Sequence, residues 1–244
     1  MTRLTMDPAI DGFPLWTPDG RRIIFESNRA GVFDVYSQTA DGTGGAEALT
    51  KGKNPMWPFS ISPDGARLVL NESEPKTGAD LLVLTLDGKS SPQPLVRTPF
   101  YETHGEVSPD GRWLAYQSDE SGETQVHVRP FPDAHGGHWQ VSASGGAKPV
   151  WSPDGSELFY LAGRAMMAVT IQTAPVFSAG SPTKLFEGRY RPGMSARAYD
   201  VSKDGQRFLM IKESAATAEV SPSPVNMVVV LNWFEELKRL VPPK

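Results

Sequence analysis

Cysteine is absent from the 244 residues, which excludes disulfides, thiolate metal sites and cysteine nucleophiles. That absence does not identify a compartment, because many exported domains carry no disulfide. Helical periodicity is also scarce, and no window approaches the ~18 consecutive apolar residues of a membrane-spanning helix. The opening MTRLTMDPAIDGF has no apolar h-region, so no signal peptide is read there. Positive charge is outweighed: 24 Lys and Arg stand against 28 Asp and Glu, a net charge of -4. No broad cationic field exists to hold phosphate backbones or anionic lipid, so nucleic acid is not an expected partner. No cofactor is implied by any motif, and a monomer is expected.

Glycine and proline are plentiful, at 23 and 22 residues, which suits a turn-rich β protein. The tetrapeptide SPDG occurs at Ser62–Gly65, Ser108–Gly111 and Ser152–Gly155, with variants at Thr17–Gly20 and Ser202–Gly205. Its aspartates, Asp19, Asp64, Asp110, Asp154 and Asp204, are spaced by 45, 46, 44 and 50 residues. A period in the forties with β-rich units matches one four-stranded propeller blade. Proline presets φ for a type I turn, Asp accepts a nearby backbone N–H, and Gly takes the positive-φ position. Turn geometry thus accounts for all five aspartates without a ligand.

Each turn is followed by an apolar run: RRIIFES, ARLVLNE, RWLAYQS, SELFYLA and QRFLMIK. Third strands follow at VFDVYSQ, ADLLVLTLD, TQVHVRPF, MMAVTI and NMVVVLNW, and fourth strands at EALT, QPLVRT, WQVSA and TKLFEG. The fifth repeat lacks a fourth strand, and TRLT at 2–5 fits that pattern. The prediction is one domain over 1–244, all-β, a propeller of five four-stranded antiparallel blades closed by the N-terminal strand. ESAATAEVSPSP at 213–224 reads as a surface loop, and a capping box on Asn232 and Glu235 predicts a short C-terminal helix at about 233–241.

Laid out in this way, the chain resembles the TolB-like propeller family, whose blades carry a WSPDG-type turn before an apolar strand. More narrowly, SPDGRWLAYQSDESGETQVHVRPFP, WQVSASGGAKPVWSPDGSELFY and VVVLNWFEELKRLVP resemble the C-terminal propeller of bacterial membrane-anchored serine/threonine kinases. The resemblance implies an extracytoplasmic sensor or binding module. It does not carry kinase activity over, because the Gly-rich loop with its strand lysine, HRD and DFG are all missing.

A G-x-S-x-G elbow is missing too, so no hydrolase nucleophile is read. Propeller ligands usually meet the segments leading into the innermost strands. Here those segments bring Tyr101, Glu102, His104, Glu106, Lys148, Arg197, Tyr199 and Asp200 toward one rim, with Asp11 and Trp57. This is the expected binding site for a protein, peptide or small molecule, although such charges also serve simply to solvate a channel mouth. Glu102, Glu106 and Asp200 could supply a glycosidase-type carboxylate pair, one alternative reading, and a purely structural interaction scaffold is the other. His135 and His138, with Asp133, have ligand-like spacing, but a solvated hairpin loop explains them as well, and no metal is expected. His127 reads as an outward or partly buried strand residue.

Overall fold

The computed structural model describes residues 4–174, 176–190 and 196–212, with the backbone alone of Met227–Val230. Among the described residues the chain is all-β, with no helix and five antiparallel sheets. The first sheet runs β1 (Asp11–Trp16), β2 (Arg22–Ser27), β3 (Asp34–Thr39) and β4 (Glu47–Ala48). The second is β5 (Met56–Ile61), β6 (Arg67–Glu74), β7 (Gly78–Thr85) and β8 (Gln93–Val96). The third is β9 (Thr103–Val107), β10 (Trp113–Ser118), β11 (Gln125–Pro130) and β12 (Trp139–Gln140). In these three sheets neighbours in sequence are neighbours in space, so each is a meander. The fourth holds β13 (Ala147–Trp151), β14 (Glu157–Ala162), β15 (Ala165–Gln172), β16 (Ser178–Ala179) and β17 (Thr183–Glu187). Both β16 and β17 pair with β15, at its end and its start respectively, and β16 was not foreseen. The fifth comprises β18 (Tyr199–Val201), β19 (Phe208–Ile211) and β20 (Met227–Val230). The expected C-terminal helix, the 213–224 loop and the first half of the TRLT strand lie outside the described residues, and Leu4 and Thr5 of that strand are described but belong to no strand.

Residues 1–149 and 150–244 form two compact units. Within the first, the second strand of a blade reads as an unbroken apolar run because both of its faces are covered. Leu68 and Leu70 of β6 join Ile24, Val35 and Leu82 in one core cluster. Val69, between them, points the other way into a cluster with Leu81, Val107, Leu114 and Tyr116. In the second unit Phe159, Met166, Tyr199, Phe208 and Met210 form a third core.

Gly105 of β9 shows how closely the sheets of the first unit approach. A Cβ there would lie 2.7 Å from Val69 Cγ1, 3.0 Å from Leu81 Cδ2 and 3.4 Å from Leu114 Cδ1. All three neighbours are fully buried and have nowhere to retreat. Gly105→Ala is therefore expected to destabilise the chain by about 1–3 kcal/mol through overpacking, read as a lower urea midpoint with an unchanged slope.

Each signature turn has the same internal bonding. In the second blade the Ser62 hydroxyl donates to Asp64 Oδ1, which also accepts the Ala66 N–H at 3.0 Å. Gly65 closes the turn at φ 70° and donates to the Ser62 carbonyl at 2.8 Å. Bonds from the turn hydroxyl and amides hold the carboxyls of Asp19, Asp64, Asp154 and Asp204 below the usual range. Burial pushes Asp110 the other way, but the same bonds outweigh it.

A second device, shared by blades one and three, ties the outer edge of the blade to its third strand. In blade one, Thr50 Oγ1 donates to Asp34 Oδ1 at 2.8 Å while accepting the Val35 N–H at 2.9 Å. In blade three, Ser142 Oγ does the same for Gln125 and the Val126 N–H. Blade two departs from this pattern: Asp80 is held instead by Arg97 Nε at 3.0 Å and by Thr77 Oγ1 at 2.7 Å.

Candidate functional site

The inner strands of the first unit share an irregularity four residues before the turn. The β1–β2, β5–β6 and β9–β10 ladders all slip in register there. Phe13, His104 and Lys148 occupy that position with φ of 51°, 57° and 57°, a strained region for residues other than glycine. Pro58, the equivalent in blade two, cannot enter it because its ring fixes φ negative. The strained backbone is held by amides from the preceding blade. The His104 N–H donates to Asn71 Oδ1 at 3.3 Å, and the Lys148 N–H to Gln117 Oε1 at 2.9 Å. Glu26 holds the matching place in β2 and meets the Trp57 side chain instead. The bulges turn Phe13, Phe59 and His104 into a row across three inner strands, with ring centroids 5.7 Å and then 4.8 Å apart.

Of the residues expected at the mouth, Tyr101 is 53% exposed, and its N–H donates to Asp119 Oδ1 at 2.8 Å. Glu102 is only 1% exposed and accepts from the Thr98 hydroxyl and N–H; burial pushes its carboxyl up to about 7. His104 is buried, with Nδ1 3.0 Å from Thr103 Oγ1. Glu106 is half-buried on β9, and burial lowers the Lys148 ammonium to about 8. In the second unit Arg197 Nη1 lies 3.4 Å from Asp200 Oδ1, and Tyr199 is packed into the core. Asp200 also lines an open depression of about 290 Å³ with Ser202, Arg207 and Phe208.

A polar cluster on blade three was only half foreseen. His138, expected beside His135, instead turns toward β11: its Nε2 lies 2.9 Å from His127 Nδ1. Glu120 Oε1, from the β10–β11 turn, lies 3.1 Å from the same His138 Nε2 and 3.4 Å from the same His127 Nδ1. His135 is exposed, and its N–H closes a local turn on Asp133. His127 is 1% exposed, so the reading of it as outward or partly buried is corrected: the His138 ring, 4.8 Å away between centroids, and the Tyr116 ring lie against it. The ring stands directly across the ladder from Tyr116, at 5.6 Å between centroids. Arg129 Nε donates to the Tyr116 hydroxyl at 2.8 Å, and its Nη1 to the Ala134 carbonyl at 3.2 Å, anchoring the loop that delivers His138. Burial, then the charges of His138 and Arg129, bring His127 down to about 4; burial and Arg129 also lower His138. The His127 ring is therefore neutral at pH 7.

No family model matches the sequence. An uncharacterized protein of Agrobacterium fabrum (strain C58) is 30% identical over 159 residues, 60% of this chain and 53% of that protein. The chain thus spans about half the length of the curated relative it matches. The meanders and their repeated turns define a β-propeller fold. More particularly the fold is TolB-like. The crystal structure of TolB from Acinetobacter baumannii superposes with a TM-score of 0.67 at 21% identity, over 86% of this chain and 50% of that one. A candidate TolB of Agrobacterium tumefaciens gives 0.66 at 18% identity, over 88% and 74%.

Proposed function

We propose that the chain is a non-catalytic binding propeller, a single domain over 1–244 that takes a protein or peptide at the rim of its inner-strand entries. In this reading it works as the sensor propeller of a receptor-type kinase does, as a monomer and without a kinase domain in this sequence. The observation that carries it is the state of the rim carboxylates. Glu102 is 1% exposed and bonded to Thr98, out of reach of a substrate, and Asp200 is bonded by Arg197, which supports a rim that binds and does not hydrolyse. Tyr101, the chain neighbour of Glu102, is an aromatic exposed at a strand entry, the kind of side chain that anchors a partner.

The test is selection of peptide binders by display, followed by titration against Tyr101→Ala and Arg197→Ala. The expected result is a loss of at least about tenfold in affinity for one or both variants, the size of a modest hot spot. A panel of chromogenic glycosides, lactones and peptides run alongside should show no turnover above background. Turnover abolished by Glu106→Gln would overturn the reading in favour of a hydrolase.

A further inference from the structure

The cluster on blade three does something that hydrogen bonding does not explain. Its three contacts, of 2.9, 3.1 and 3.4 Å, join one atom each of His127, His138 and Glu120 into a closed triangle. Protons can satisfy at most two edges of such a triangle. If His138 Nε2–H donates to either neighbour, the remaining edge is left as two facing lone pairs; if both rings carry a proton inward, the two N–H groups face each other. A cation satisfies all three edges at once. A triangle of this size leaves a point about 2 Å from every corner and about 1 Å out of its plane, the distance at which zinc takes imidazole nitrogen and carboxylate oxygen.

We propose that Glu120 Oε1, His127 Nδ1 and His138 Nε2 form a three-donor site for a divalent transition-metal ion, zinc by its donor set. Two imidazoles and one carboxylate suit zinc, cobalt(II) or nickel and not magnesium or calcium, which demand oxygen shells. His127 is fixed by burial, while the Glu120 and His138 side chains are 24% and 32% exposed, so an ion enters from solvent and keeps water in its open positions. Arg129 is the nearby opposing charge, but its guanidinium is turned to the Tyr116 hydroxyl and the Ala134 carbonyl. The ion would staple three separate segments: the β10–β11 turn, β11 and the loop before β12. The neighbouring Asp119 of that turn holds the Tyr101 N–H, so the staple also stiffens one edge of the rim.

The test uses the tag-free full chain, stripped with chelator and titrated with zinc chloride by calorimetry, with cobalt(II) as a spectroscopic probe. One equivalent of zinc should bind, and Tm should rise by about 5 °C or more at zinc some 100-fold above Kd. Cobalt(II) should give visible d–d bands. Glu120→Gln and His138→Ala, which alter partly exposed side chains, should each weaken zinc binding at least about tenfold with circular dichroism unchanged. His135→Ala, five residues past the end of β11 but outside the triangle, should bind as the parent does. Failure to bind one equivalent at about 100 µM zinc, unchanged affinity in both triangle variants, or loss only with His135→Ala would overturn the proposal.

Discussion

Glu26→Gln and Glu102→Gln are expected to leave stability nearly unchanged at pH 4.5 and to raise it by about 3 kcal/mol apiece at pH 8. Both carboxyls are buried, at 6% and 1% exposure, and burial raises each from its ordinary value near 4.5 to about 7. Between those two values the folded chain keeps a proton that the unfolded chain has released. The contribution is therefore fully present below about 4.5 and lost as the pH rises through about 7. Above that, each folded molecule holds an ionised carboxylate in a desolvated place; Glu26 Oε2 is buried with no hydrogen-bond partner among the described residues. Glutamine keeps the shape without the charge, and blade three already uses Gln117 at the position equivalent to Glu26. Buried His127 pulls the parent profile the other way, adding stability as the pH rises from about 4 to 6.5, so the variant-minus-parent difference is the quantity to measure. Urea unfolding at the two pH values checks it. Variants no more stable than the parent at pH 8 would mean that both carboxylates are solvated or paired in solution.

The blades were legible in the sequence because their signals are local. The hydroxyl, proline, aspartate and glycine of SPDG act within four residues, and the apolar run after each turn announces a strand covered on both faces. Short outer strands were placed well but too long: EALT and WQVSA shrink to the two-residue β4 and β12, since an edge strand pairs on one side only. The rim residues were legible as positions and not as environments. Thr98 lies only four residues before Glu102 in the same β8–β9 connection, but nothing local says that Asn71 reaches that segment from β6 to take the Glu102 carbonyl while Tyr101 stays exposed. The histidine cluster shows the limit most clearly. His135 and His138 are three residues apart in sequence, but the contact that forms joins His138 to a residue eleven positions upstream through the antiparallel pairing of β11 and β12. Writing β10 and β11 in register would have set His127 opposite Tyr116 and brought Glu120, in their connecting turn, to the same end.

The same comparison across blades isolates the point where removing one side chain should do most harm. Blades one and three latch the third strand with a neutral hydroxyl, whereas blade two buries Asp80 completely and sets Arg97 against it. Arg97 also reaches Glu72 Oε2 at 2.7 Å, so one guanidinium serves two carboxylates and closes β8 onto β6 and β7. Among the described residues, Arg97→Ala leaves Asp80 buried with only Thr77 as a side-chain donor, and Asp80 Oδ1 has no hydrogen-bond partner there. Breaking a buried pair from one side costs about 3 kcal/mol or more, well above the value of an exposed ion pair, although Arg97 itself is 38% exposed. Arg97→Lys should recover less than half of the loss, since an ammonium cannot hold both carboxylates in a fork. Asp80→Asn in the Arg97→Ala background should recover most of it, because the uncompensated charge, more than the lost contact, is what destabilises the blade. If the double variant is as unstable as Arg97→Ala alone, the cost lies in packing of the arginine stem across β8, and the electrostatic account of this latch fails.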